Sequence, residues 1–157
     1  MGKNKRRKKK IKPHQSIPKA VPEQSTENFL KGFARGSVHD KSNLMSFTFR
    51  HLDENQGDTI QDWQDKGVLG EAMLTLKDYS SRTIPESLGR KFKIYGGFPP
   101  ANKTEYKHPT HVPPDAKWAS MHVNGRVCLG GHVVGSTFYI VFLDPRHRFW
   151  VCEKKHT

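Results

Sequence analysis

Hydrophobic and polar positions along this chain follow more than one period, and each period predicts a different element. Ser46-Phe47-Thr48-Phe49-Arg50 alternates polar and apolar residues, the pattern of a half-buried strand. Ordered structure is therefore expected from about Met45. Asn55-Gln56-Gly57-Asp58 reads as a turn. Beyond it, Ile60, Trp63, Val68, Leu69, Met73, Leu74 and Leu76 recur at mostly helical spacing and make one apolar stripe. Asp58 or Thr59 is placed to cap this helix, and Gly67 and Gly70 are placed to divide it in two. Trp63 is expected in the core. Arg90-Lys91-Phe92-Lys93-Ile94-Tyr95 alternates again, basic against apolar or aromatic, which suits a strand or the end of a helix. Residues 96–114 form a Pro-rich, His-containing loop long enough to point to function or mobility.

The C-terminal third carries the clearest pattern. Lys117 to Val123 reads as a strand, Asn124-Gly125 as a hairpin turn, and Arg126 to Val134 as the returning strand. Gly135-Ser136 suits a second tight turn, Thr137 to Leu143 a third strand, and Asp144-Pro145 its end. The predicted fold class is α+β: an N-terminal helical segment packed on a small antiparallel β-meander over residues 44–157. A flexible basic tail over residues 1–43 is expected to precede it.

Charge changes the picture more than composition does. The 157 residues suit one domain plus appendages, and 34% apolar content allows only a modest core. A formal net charge of +12 favours polyanions, through phosphate neutralisation and counterion release. RNA is the preferred partner, with DNA and an anionic membrane as rivals. Lys5, Arg6, Arg7, Lys8, Lys9 and Lys10 form a like-charge block, followed by Pro13, Pro18 and Pro22. This block is the candidate RNA anchor, although a solvated tail or a nuclear-import signal has the same composition.

The basic start runs into prolines rather than an apolar stretch, so no secretory signal is expected, nor any membrane span. A cytoplasmic location with Cys128 and Cys152 reduced follows. The two cysteines make no metal-type pair. His108-Pro109-Thr110-His111 has a spacing compatible with a transition metal but no acidic companion. Neither a Gly-rich phosphate loop nor a serine-nucleophile elbow is present, and no metal or cofactor is expected.

Register counted from the two turns assigns faces. It places Met121 opposite Cys128, Val133 opposite Phe138 and His132 opposite Tyr139. One face then carries Trp118, Val127, Leu129, Val133, Phe138, Ile140 and Phe142, and the helices are expected to cover it. The other carries Met121, Arg126, Cys128, His132, Tyr139, Val141 and Leu143. His122 falls on the core-like face unless a bulge moves it. Arg126 lies opposite Pro145, so Arg146, His147 and Arg148 come close to it.

A guanidinium beside an imidazole suits RNA cleavage, in which the 2′-hydroxyl attacks the adjacent phosphate. That reaction needs a base, an acid and cations, without a metal. The candidate catalytic residues are His147, Arg126, His132 and Tyr139. His147 is the acid or base, and Arg126, Arg146 and Arg148 hold the phosphate. Tyr139 or Trp150 supplies a stacking surface for a base.

From Trp118 to Trp150 (WASMHVNGRVCLGGHVVGSTFYIVFLDPRHRFW) the chain resembles the RelE/ParE superfamily of toxins. The resemblance implies a helical segment before a meander, with Arg126 as the strand arginine and His147 as the terminal acid–base residue. It further implies an endoribonuclease that cuts messenger RNA, often on the ribosome, and a cognate antitoxin protein. The tail and the 96–114 loop are longer than such toxins usually carry. Two other classes stand beside this reading. One is a non-catalytic RNA- or ribosome-binding protein anchored by its tail. The other is a protein-interaction module that the tail only localises.

Overall fold

The computed structural model describes residues 43–152. They build a mixed five-stranded sheet with few, short helices. In chain order the elements are β1 (Ser46–Thr48), α1 (Ile60–Asp65), α2 (Leu69–Tyr79), α3 (Ile84–Ser87), β2 (Phe92–Gly96), β3 (Lys117–Asn124), β4 (Val127–Val134) and β5 (Thr137–Asp144). The spatial order is β1-β5-β4-β3-β2. The helical segment on a small antiparallel meander is thereby corrected. Two strands outside the meander extend it on both edges, and β1 runs parallel to β5, with Ser46 opposite Thr137. That pairing spans half the chain, so no local alternation announces it.

Local chemistry explains the short helices. Thr59 accepts from the Asp62 amide, and the Asp62 carboxylate accepts from the Thr59 amide, closing a capping box on α1. Thr59, not Asp58, is therefore the cap, and Thr59→Ala would cost about 1 kcal/mol. Gly67, in the left-handed region at φ +71°, ends this turn, and α2 restarts at Leu69. A second capping box, Thr83 with Glu86, opens α3.

Two apolar clusters lie on opposite faces of the sheet. The first joins Trp63, Ala72, Leu76 and Tyr79 of the helices to Phe92, Met121, Leu129, Phe138, Ile140 and Leu143. The second is built by the loop after β2 and the chain after β5: Tyr106, Val112 and Phe149 pack with Trp118, Val141 and Phe142. The long loop thus closes over a face that would otherwise be wet.

Bulges decide which residue belongs to which face. Between β3 and β4 the register passes from His122↔Cys128 to Asn124↔Val127, leaving Val123 extra. Between β4 and β5 it passes from Gly131↔Ile140 to Gly130↔Phe142, leaving Val141 extra. The expected faces are corrected accordingly. Met121 and Leu143 join the helix-covered side, whereas Trp118 and Phe142 join the loop-covered side. His132 does lie opposite Tyr139, as the second turn predicts.

Gly131 permits the bulge. A Cβ there would collide with the Tyr139 carbonyl and stand 3.0 Å from the Phe138 ring. Among the described residues no helix is long and apolar enough to cross a membrane.

Candidate functional site

The loop-covered face of β3, β4 and β5 collects the imidazoles. His122, Cys128, His132 and Tyr139 all project there, because each pairs across the ladder with another of the set or with its face neighbours. They fall into two groups. Cys128 and His132 are four residues apart on β4, which separates the groups by roughly 13 Å.

The first group centres on the buried His132. The His51 Nδ1 and His132 Nε2 atoms are 2.9 Å apart and share one proton in a hydrogen bond. Tyr139 stacks on His132 with ring centroids 4.8 Å apart, and the His51 ring lies 4.9 Å from Tyr139. His111 Nε2 donates to the His51 carbonyl at 2.9 Å, and His108 Nδ1 donates to the Pro109 carbonyl. His132 is 1% exposed. Burial, followed by the neighbouring His51 and His108, pushes its pKa down to about 4, so its ring is neutral. His51 is also lowered, by burial and then by His111 and Arg50. Around Trp118, the buried nitrogens His108 Nε2, Trp118 Nε1 and His132 Nδ1 have no protein hydrogen-bond partner.

The second group sits where the β3–β4 turn meets the chain after β5. His122 Nε2 and His147 Nε2 are 3.0 Å apart, and Cys128 Sγ lies 3.6 Å from His122 Nδ1. Both histidines are half-buried, while Cys128 is buried. Burial and then His147 lower the His122 pKa. Burial and then Asp144 push the Cys128 thiol up to about 12, so without a further cation it is not a nucleophile.

Backbone holds His147 in this place. Its φ is +58°, the only left-handed non-glycine among the described residues. Such a conformation costs about 1–2 kcal/mol and persists only when its surroundings enforce it. Here the buried Asp144 carboxylate accepts from the Arg146 amide at 3.2 Å and from the Phe149 amide at 2.8 Å, cinching the loop around His147.

The four residues assigned to catalysis are therefore not one constellation. His132 and Tyr139 belong to the first group and His147 to the other, while Arg126 stands exposed in the β3–β4 turn. Arg146 and Arg148 flank His147 in sequence but line a different cleft, of about 340 Å³, together with Asp58, Glu105 and Asp144. Arg148 Nε is 3.6 Å from the Glu105 carboxylate. Trp150 stacks on Tyr95, centroids 3.8 Å apart and planes within 4°, so one face of each ring is taken. Lys5, Arg6, Arg7, Lys8, Lys9 and Lys10 lie outside the described residues.

Sequence counting misses His122 and Cys128 as partners of His147, because the bulge at Val123 carries His122 across the sheet. It misses His51 because no pattern ties residue 51 to β4. No family model matches the chain, and no curated protein or solved structure is similar to it.

Proposed function

We propose that this protein binds RNA and that its N-terminal basic block supplies the affinity. The observation that carries this reading is the division of charge along the chain. Residues 43–152 hold thirteen Lys and Arg against eleven Asp and Glu, so most of the +12 lies outside the described residues. Two of the arginines in these residues face carboxylates, Arg148 at Glu105 and Arg82 at Asp78. Phosphate neutralisation then falls to the eight Lys and Arg of residues 1–12. Titrating single-stranded RNA against the full chain at rising salt tests this. Eight neutralised phosphates predict a log–log slope of about −5 to −6. A slope near zero, or no RNA bound at low salt, would overturn the proposal.

A second reading keeps the endoribonuclease that the RelE/ParE resemblance implies, with the ribosome and an antitoxin as further partners. What favours it is the contact between His147 and His122, a proton-sharing pair. On this reading His147 transfers the proton and His122 positions it. Induced expression with messenger-RNA integrity as the readout tests it. The natural chain should cleave RNA, while His147→Ala and Arg126→Ala should each lower cleavage by 100-fold or so. Full cleavage by both folded variants would refute it.

A further inference from the structure

We propose that His122, Cys128 and His147 form a binding site for a tetrahedral transition-metal ion, with Zn²⁺ the best-matched species. The inference stands apart from RNA binding and does not rest on it. One donor atom from each of the three side chains falls within 4.8 Å of the others, and among the described residues this is the only group of three His, Cys, Asp or Glu that does so.

The spacing suits a first coordination shell. With Zn–S about 2.3 Å and Zn–N about 2.0–2.1 Å, the edges of a tetrahedron are about 3.5 Å for S···N and about 3.3 Å for N···N. Each pair taken alone is close to such an edge, at 3.6 Å from Cys128 Sγ to His122 Nδ1 and 3.0 Å from His147 Nε2 to His122 Nε2. Because His122 faces the sulfur with one nitrogen and His147 with the other, a common ion takes a single His122 nitrogen. With one nitrogen from each ring the three donors lie within 4.8 Å of one another, so the half-buried imidazoles turn to close the shell around an ion.

The donor set narrows the ion. Two imidazoles and a thiolate are borderline-to-soft ligands, which disfavours Mg²⁺ and Ca²⁺ and suits Zn²⁺, Co²⁺ or copper. As the metal–sulfur bond forms, the Cys128 thiol proton leaves to solvent. Three protein ligands leave a fourth position for water or a substrate oxygen.

A second, independent observation is the backbone at His147. The only left-handed non-glycine among the described residues carries a ligand, and the buried Asp144 fixes its loop through two amide hydrogen bonds. Strain held at a ligand is what a preorganised site requires. Metal occupancy and free-imidazole chemistry use the same nitrogens, so the ribonuclease reading and this site exclude each other at a given moment.

The test is Co²⁺ titration of the full-length chain, followed by absorption spectroscopy. One Co²⁺ per chain is expected, with a thiolate-to-cobalt charge-transfer band and intense tetrahedral ligand-field bands. Cys128→Ser should abolish the charge-transfer band. His147→Ala should weaken binding at least tenfold, with circular dichroism confirming the fold. Cys152→Ser should change neither. Binding that survives in the Cys128→Ser/His147→Ala double variant would belong to other histidines of the chain and would overturn the proposal. So would weak octahedral spectra in the natural protein.

Discussion

Two histidine pairs share one face of the sheet, and they differ in depth and in the backbone that carries them. His132 lies buried beneath the loop that follows β2, stacked with Tyr139 and with the half-buried His51. Their environment removes charge: burial and like-sign neighbours keep His132 neutral down to about pH 4. His122 and His147 meet at the rim, half-buried, with a thiol behind them and a strained backbone carrying one of them. The first pair repays its burial with packing and one hydrogen bond. The second includes the only left-handed non-glycine among the described residues, held there by the Asp144 carboxylate. Only His132 is fully buried, whereas His51, His122 and His147 are half-buried, so the difference lies in the depth of one ring and in the backbone that carries another.

Breaking the buried side has the largest expected effect. Gly131→Val forces side-chain atoms into the Tyr139 carbonyl and Phe138 ring beside His132, and should cost about 3 kcal/mol or prevent folding. Urea unfolding monitored by tryptophan fluorescence measures it. A loss below about 1 kcal/mol would show that the bulge relaxes freely.

Acid should reach the buried His132 next. The unfolded chain, with imidazole near 6.5, takes up a proton before the native His132 does near 4. Stability is thus fully present above about pH 6.5 and falls as pH drops towards 4, by on the order of 3 kcal/mol from this residue. His132→Phe should flatten that part of the pH profile. An unchanged profile would mean that the acid sensitivity arises elsewhere.

The smallest effects sharpen the contrast directly. His51→Ala strands the buried His132 Nε2 without its partner and should cost about 1–2 kcal/mol. His147→Gly relieves a left-handed backbone and should leave stability within about 1 kcal/mol of the natural chain. If the His147 change proved the more damaging, the rim pair would be structural and the comparison would fail.

How much of this was legible in the residues depends on sequence distance. A cap at Asp58 or Thr59, the break at Gly67, the buried Trp63 and the Asn124-Gly125 hairpin all follow from neighbours a few positions apart, and the structure contains each, with Thr59 as the cap. The His132↔Tyr139 register follows from the second turn in the same way. What failed was everything that a bulge or a distant strand controls. One extra residue at Val123 turns His122 towards His147, and one at Val141 exchanges Phe142 with Leu143. The edge strand β1 pairs with a segment about ninety positions away, so the helix-on-meander expectation had no local signal to correct it. The candidate site was half legible: His147 was named, and its partners were not.

The division of labour between the basic block and the folded body is the central claim, and one titration tests it most directly. Single-stranded RNA is titrated at several salt concentrations against the natural chain and two variants. The first variant carries Gln at Lys5, Arg6, Arg7, Lys8, Lys9 and Lys10, and the second carries Gln at Arg126, Arg146 and Arg148. Six lost phosphate contacts should make the salt slope shallower by about 4 and collapse affinity at physiological salt, while the second variant should bind nearly as the natural chain does. If the three body arginines governed the slope and the six tail residues did not, the account would be contradicted.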